Sequence, residues 1–376
     1  MNDSSSIRLQ SSEIQVGQAL PWAVYDDAGI LLLRAGYVIE NPRQLDQLLT
    51  RGMYRKLTDE ELNQRSATQY VEEKNPFDII RAGIHRLEQA FQGIENATPQ
   101  VEERILRLTH DLVSVCTDFP DAALGSIHLC NDAAYTLCHP IHQACLSVLV
   151  GNRLELNAGQ IENLVAATLT ANIGMRELQE QLHKQAMPLT DSQRAQVTQH
   201  VEHSVALLEK AGIRNSLWLE IVRQHHERVD GSGYPSGLTG DQLLQEARIL
   251  AIVDHYCARV SARAYREALP PQEQLRDLFL KRGFEFEETV SLSLIKELGI
   301  FPPGTFVRLV SGEVGVVIHR GNNGIQPIVS AIISPRGGAY ARPLRRDCTT
   351  HEYAIKESAR WPGGAPLNLS VLWGFA

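Results

Sequence analysis

Two adjacent histidines, His225 and His226, open the run HHERVDGSGYP at residues 225–235, with Glu227 and Asp230 close behind them. Neutral imidazoles are good donors to transition metals. Two of them beside acidic groups are costly to bury without partners. The second half of the run carries turn chemistry. Gly231 and Gly233 allow a tight loop, and Tyr234 followed by Pro235 stiffens it. A literal His-Asp pair also occurs, at His110 and Asp111 in the text LTHDLVSV. It lies on an amphipathic helical stretch with no glycine after it, and reads as a local helix contact. A lone histidine in a loop would be incidental, but eleven consecutive residues of this composition are not so easily dismissed.

The run resembles the signature of the HD-GYP family, a branch of the metal-dependent HD phosphohydrolases, and the resemblance extends over about residues 100–300. It implies a helical domain that holds two or three metal ions, often iron or manganese. Members linearise and hydrolyse cyclic di-GMP, and some bind GGDEF-domain partners through the GYP loop. Carried over residue by residue, it puts the first metal histidine at His139, in a helix starting near Tyr135. Tyr135 stands where members with a third metal have a glutamate, so a trinuclear site is not expected. The HDxGK motif falls on ANIGM at residues 171–175, after the apolar text AATLT. Ala171 replaces its histidine, Asn172 the metal-bridging aspartate and Met175 the lysine. Further on, Leu189 and Thr190 lead to His200, His225 and His226 match the paired ligands, and Asp254 in ILAIVDHY matches the last one. Arg263, Tyr265 and Arg266 match a segment that contacts substrate phosphates in relatives. The metal set implied is therefore His139, His200, His225, His226 and Asp254, for one or two divalent ions, iron or manganese by resemblance. Asp230, Gly231, Gly233, Tyr234 and Pro235 form the GYP loop.

The three replacements bear on function. A dinuclear hydrolase needs a carboxylate bridge to hold two cations close together and poise a hydroxide between them. Asn172 is neutral, and Met175 cannot steady a phosphate as lysine does. Losing one such electrostatic donor typically costs about 10²–10³ in rate. The expectation is an impaired protein of cyclic di-GMP signalling that works by binding the dinucleotide or a GGDEF-type partner. Two alternatives stay open. One is an active phosphodiesterase with a single metal on His200, His225, His226 and Asp254 and with Asn172 orienting water. The other is a scaffold without ligands, which the retention of five ligand residues disfavours. His142 and His203 lie three residues beyond proposed ligands, on nearly the same helix face, and either could serve in a rearranged site. Arg263 and Arg266 offer the planar fork that suits phosphate, or are charges on a solvated helix.

The elements that must position these residues are mostly helical. Residues 76–300 carry helical stripes such as Ile80, Ile84, Leu87 and Phe91, then Val101, Ile105, Leu108 and Leu112. Breaks fall at Pro188, at residues 231–237 and at Pro270 and Pro271. Residues 1–56 read as a small β-rich module, with apolar runs at 14–16, 22–25, 30–33 and 37–39 broken by Gly17, Gly29 and Gly36. A short helix capped by Asn41 follows, with Leu45, Leu48 and Leu49 on one face and Gly52 at its end. Residues 57–75 read as a linker. Residues 301–376 read as a small β domain with strands at 306–309, 314–318 and 328–333. AVYDDAGILLLRAGYVI and PPGTFVRLVSGEVGVV resemble modules that flank HD-GYP domains, which suggests interaction or sensing. The fold class is mainly α: a helical HD-type domain between two small β-rich pieces.

Bulk properties narrow the partners. With 376 residues, 43% of them hydrophobic and 21% charged, the chain can bury a substantial core across two or three domains. Its formal net charge of −8 and the absence of a Lys/Arg-rich run argue against DNA. The start MNDSSSIRLQ lacks a secretory pattern, and the longest apolar runs are too short to span a bilayer. The expectation is a soluble, cytoplasmic protein, with homodimerisation left open. Six cysteines form no C-x-x-C pair, so buried free thiols are expected rather than zinc or disulfides.

Overall fold

The computed structural model describes residues 6–8, 14, 16–25, 31–41, 44, 54–56, 75–261, 270–321, 326–361 and 367–375. The chain divides into two units, residues 1–74 and residues 75–376.

In the first unit, β1 (Ser6–Arg8), β2 (Val24–Tyr25), β3 (Leu31–Leu33) and β4 (Tyr54–Lys56) form an antiparallel sheet in the order β1-β4-β2-β3. Ile14, Leu20, Val24 and Ile39 make its apolar centre. Gly17 and Gly36 take positive φ (89° and 85°) at turns, a conformation that glycine adopts without a Cβ penalty. The Asn41 side chain accepts from the Gln44 backbone N–H at 3.0 Å, the contact expected of a helix cap. Leu45, Leu48, Leu49 and Gly52, and the linker up to residue 74, lie outside the described residues.

The second unit is helical through most of its length. Its helices are α1 (Pro76–Glu95), α2 (Val101–Asp118), α3 (Pro120–Leu129), α4 (Tyr135–Arg153), α5 (Ala158–Thr170) and α6 (Arg176–Lys184). They continue with α7 (Asp191–Lys210), α8 (Ser216–Gln224), α9 (Gln245–Val260), α10 (Pro271–Lys281) and α11 (Glu288–Leu298). Local chemistry sets several of these starts. Asn75 caps α1 with proline in its first turn, and Asn157–Gln160 and Thr190–Gln193 form reciprocal capping boxes at α5 and α7. The central element is α4, buried from Tyr135 to Gly151. It packs against α5, α9 and α11, and the apolar stripes of α1 and α2 close over it. Each fully buried Leu or Ile there contributes about 1.5–3 kcal/mol relative to exposure.

After α11 comes an antiparallel sheet in the order β8-β7-β6-β5-β9, built from β5 (Phe306–Leu309), β6 (Val314–His319), β7 (Ile328–Ile333), β8 (Ala339–Asp347) and β9 (Ile355–Ser358). The strands β5, β6 and β7 fall where apolar alternation puts them. The strands β8 and β9 carry mostly exposed residues, so they give little apolar signal. The sheet packs onto the helices. Val316, Ile318 and Ile332 share an apolar cluster with Phe77, Ala122 and Cys130, and with Leu369, Leu372 and Trp373 of the terminal helix α12 (Leu369–Trp373). Phe77 meets the Trp373 ring edge-on at 5.1 Å. A Cβ at Gly125 would lie 2.4 Å from that indole, so only glycine admits it. A charged seam runs beside the cluster. The Arg320 Nε donates to Asp121 at 2.5 Å and its guanidinium also pairs with Glu297, which accepts from Arg153 at 2.6 Å. All six cysteines are buried and none is in a disulfide. No helix among the described residues is long and apolar enough to cross a membrane.

Candidate functional site

Three histidines converge where α7 meets the end of α8. Helix α8 is fixed by Asn215, which accepts from the Trp218 N–H, and by Trp218, whose indole donates to Thr170 on α5 at 2.8 Å. It ends on His225, so His225 and His226 leave its last turn facing His200 of α7. The Nδ1 of His225 donates to the Val222 carbonyl at 2.6 Å, and that of His200 donates to the Val197 carbonyl at 2.5 Å. A carbonyl only accepts, so both rings carry their proton on Nδ1 and present Nε2 as a lone pair. These two Nε2 atoms lie 3.4 Å apart, and neither can donate to the other. His226 Nε2 is buried with no partner among the described residues. Ligand atoms of all three rings lie within 4.8 Å of one another.

Two lone pairs aimed at one spot repel unless a cation or a donor lies between them. Two nitrogens about 2.1 Å from one ion at a tetrahedral angle are roughly 3.4 Å apart, which is the separation found. The trio therefore fits a transition-metal ion. Burial disfavours the charged form of each ring. It holds His225 at about 3 and His226 well below the usual imidazole value, with neighbouring histidines adding to both, and it lowers His200 as well. Neutral imidazole is the form that ligates metal.

His139 and Asp254 stand apart from the trio as a pair. His139, on α4, places Nε2 3.0 Å from Asp254 Oδ1, on α9. Gln143, one turn along α4, donates its side-chain amide to the same oxygen at 2.6 Å. Burial pushes the Asp254 carboxyl up, but the His139 hydrogen bond and the nearby His226 and His225 outweigh it, leaving the acid well below the usual range. Gln143 was not singled out in the sequence. The signal was its i+4 spacing from His139. His142 is also buried on α4, held at about 3 by desolvation, with Nε2 unpartnered, and it does not join the trio. His203 donates Nδ1 to the Gly174 carbonyl at 2.8 Å and so anchors the adjacent turn. His110 is hydrogen-bonded to Glu162 at 2.6 Å and Asp111 is paired with Arg86 at 2.5 Å, and neither residue lines the cavity described below.

The turn after α5 brings residues 171–175 to the same place. Ser204 of α7 pins it, donating to the Ala171 carbonyl at 2.7 Å and accepting from the Gly174 N–H at 2.9 Å. A Cβ at Gly174 would lie 2.5 Å from the Ser204 nitrogen, so glycine is what lets the turn touch α7. Ala171 is fully buried. Asn172 is 7% exposed, and its Oδ1 is buried without a partner. Asn172 and Met175 line a cavity of about 480 Å³ together with His139, His226, Tyr234 and Asp254. Leu182, Met187, Pro188 and Leu189 add apolar lining. That volume lies in the range of small-molecule sites, roughly 300–1,000 Å³. No Lys or Arg lines it among the described residues. Arg263, Tyr265 and Arg266 lie outside the described residues.

The GYP loop is built onto this wall. Glu227, 2% exposed, accepts from the Ser236 N–H at 2.7 Å and the Leu238 N–H at 3.0 Å, tying the loop's exit to its entry. Gly231 takes φ +78°, and a Cβ at Gly233 would lie 2.4 Å from the backbone of Glu227 and Arg228. Asp230 accepts from the Ser232 N–H at 2.9 Å, and the Tyr234–Pro235 peptide is cis. The Tyr234 ring stacks on His226 at 4.7 Å between centroids. Tyr135 stacks on His139 at 4.8 Å and also lines the cavity. The residues of the GYP loop thus meet the histidine trio through His226 and Tyr234.

Comparison with known proteins agrees with this architecture. Residues 130–290 match the HD domain family. A cyclic di-GMP phosphodiesterase of Pseudomonas aeruginosa is 30% identical over 218 residues, covering 58% of this chain and 52% of that protein. A cyclic di-GMP phosphodiesterase response regulator of Xanthomonas campestris pv. campestris is 32% identical over 142 residues, 37% of each chain. A 3'3'-cGAMP-specific phosphodiesterase of Vibrio cholerae is 22% identical over 241 residues, covering 61% of this chain and 46% of its own. The chain spans about half the length of the curated relatives it matches, or less. Among solved structures, an HDG"Y"P protein from Bdellovibrio bacteriovorus superposes with a TM-score of 0.51 at 18% identity, over 77% of this chain and 98% of that one. At that identity the likeness is one of fold.

Proposed function

Because residues 130–290 belong to the HD domain family, in its HD-GYP branch, we propose that this chain acts in cyclic di-GMP signalling by binding the dinucleotide without turning it over. The observation that carries this reading is Asn172. Its Oδ1 is buried, unpartnered, and shares a cavity with His139, His226 and Asp254. An amide there brings no negative charge to offset two divalent cations. Ala171 and Met175, beside it, bring none either, and Met175 offers no cation to a phosphate.

The residues still fit a metal ion, as the facing Nε2 atoms of His200 and His225 imply. A bound divalent ion supplies an acidified water and a Lewis acid for a phosphoryl oxygen. What the chain itself provides is the polar groups of His139, Asn172, His226 and Asp254, an aromatic face at Tyr234 and the apolar side chains of Leu182, Met187, Pro188 and Leu189. Arg263 and Arg266 are proposed to hold the ligand's phosphates, and the GYP loop to offer a docking face to a GGDEF-type partner. The convergence of three imidazoles favours one second reading: slow hydrolysis on a single ion, with Asn172 orienting the water.

Titration calorimetry with cyclic di-GMP, run beside a turnover assay on metal-loaded protein, separates the two. The proposal expects binding with no linear product above background. Product formed in proportion to bound metal would sink it in favour of hydrolysis. Absence of both binding and a GGDEF-type partner in pull-downs would remove both readings.

A further inference from the structure

We infer that the cavity beside Asn172 takes a guanine base and leaves its ligand's phosphates outside, with Asn172 Oδ1 and Asp254 Oδ2 accepting from the base's N1–H and exocyclic amine. The inference rests on the proposed reading of this chain as a binder of cyclic di-GMP, and deepens it by assigning which part of the dinucleotide enters.

Charge in the cavity disfavours a phosphate. Asp254 is the only carboxylate among the described residues that line it, and no Lys or Arg stands there to offset a second anion. Burial alone would raise the Asp254 carboxyl, yet the His139 hydrogen bond and the imidazoles around it hold it well below the usual range, so it is ionised at neutral pH. Two anions brought together where water is scarce repel more strongly than in bulk solvent. Met175, where a lysine could have faced a phosphate, lines the same space with a thioether.

The same groups suit a neutral edge that donates. Asn172 is 7% exposed, and its Oδ1 is buried with no partner. Asp254 takes His139 at 3.0 Å and the Gln143 amide at 2.6 Å on Oδ1, and among the described residues no hydrogen bond falls on its Oδ2. A buried acceptor left without a donor is a cost to the fold that a ligand's N–H removes. Guanine carries two donors side by side, N1–H and the exocyclic amine. Adenine carries an amine beside N1, which only accepts. Two acceptors on one cavity therefore select guanine. The rest of the lining suits a flat ring: Tyr234, held by its stack on His226 at 4.7 Å, and the apolar Leu182 and Leu189. Edge hydrogen bonds combined with aromatic and apolar faces are how protein pockets read an unstacked base.

Calorimetric titration of the full-length protein as purified, with its metal content measured alongside, tests this with guanosine, inosine, adenosine and ribose 5-phosphate in turn. Guanosine is expected to bind. Inosine, which lacks the exocyclic amine and so strands one acceptor, should bind about 10-fold more weakly or worse, and adenosine no better than inosine. Ribose 5-phosphate should not bind. Asn172→Leu removes the unpaired acceptor at similar volume, so it should weaken guanosine by about 10-fold without lowering the melting temperature. No binding of guanosine, equal affinity for guanosine and inosine, or ribose 5-phosphate binding in proportion to bound metal overturns the inference. So does a folded Asn172→Leu with the parent's affinity for guanosine. Should that variant fail to fold, the order of the four ligands on the parent decides. Cyclic di-GMP titrated into the same preparations keeps the two proposals distinct. Guanosine selectivity without cyclic di-GMP binding defeats only the proposed function, and cyclic di-GMP binding without guanosine selectivity defeats only the base assignment.

Discussion

Glu227 shows how much a single side chain organises here. Its two carboxylate oxygens take one backbone N–H each, from Ser236 and Leu238, and so close the GYP loop behind His226. Gln has one acceptor oxygen in place of two, so Glu227→Gln strands a buried N–H, at a cost of about 1–3 kcal/mol. Hydrogen exchange should show faster exchange at the Ser236 or Leu238 amide, with a lower melting temperature. Unchanged protection at both amides would mean the loop closes without Glu227. Tyr234 makes a second test at this scale. Its ring lines the cavity and rests on His226. If a base of cyclic di-GMP stacks on it, Tyr234→Ala weakens binding by roughly 1–3 kcal/mol, the range for base–aromatic stacking. An unaltered calorimetric Kd would place the bases on another wall.

The turn between α5 and α6 and its contact with α7 carry the site at the scale of elements. Gly174 lets backbone meet backbone, since a Cβ there would lie 2.5 Å from the Ser204 nitrogen and 2.7 Å from the His200 carbonyl. Gly174→Ala must therefore displace α7, which presents His200. Overpacking of this kind costs about 1–3 kcal/mol. The expected outcome is a lower melting temperature together with weaker Co²⁺ uptake, although no ligand is changed. A loss of stability with full uptake would show that the turn and the trio are uncoupled. Much of this level was legible beforehand. The apolar stripes of α1 and α2 and the alternation in β5 to β7 are local patterns, and they fold as local patterns do. The strands β1, β4, β8 and β9 were not read from the sequence; for the last two, period-two alternation lacked the buried face it needs. Of these, β8 and β9 are largely exposed.

Across the whole second unit, sheet and helices are joined by groups that acid should release. His128 on α3 is half-buried between the Pro303 carbonyl, 2.8 Å from Nδ1, and the Tyr256 hydroxyl, 3.0 Å from Nε2. Burial lowers it to about 4. An unfolded histidine titrates near 6.5, so the unfolded chain gains this proton first, and stability from keeping His128 neutral falls as pH drops from about 6.5 to 4. Asp121 follows the same sign lower down. Burial raises it, but His319 and Arg320 together hold it below the usual aspartate value, so its contribution is full above about 4 and fades with further acid. Urea midpoints measured from pH 7 to 4 should decline, and His128→Gln should flatten that decline. An equal slope in the variant would assign the acid sensitivity to other groups.

The sequence by itself determined the chemistry available: which imidazoles exist, that HHERVDGSGYP is a turn joined to two of them, and that residues 171, 172 and 175 carry no charge. Those are properties of residue types and short spacings, and they hold however the chain packs. Tertiary structure alone decided which groups meet. The pairing of Asp254 with His139 and Gln143 spans more than a hundred residues and depends on how α9 lies against α4. The convergence of His200 with His225 depends on α7 crossing the end of α8, and on two backbone carbonyls that fix which nitrogen each ring presents. Helical periodicity says which face is buried, but not which neighbour buries it. For that reason the resemblance could nominate five residues, but not that three of them gather where α7 meets α8 while His139 and Asp254 pair between α4 and α9.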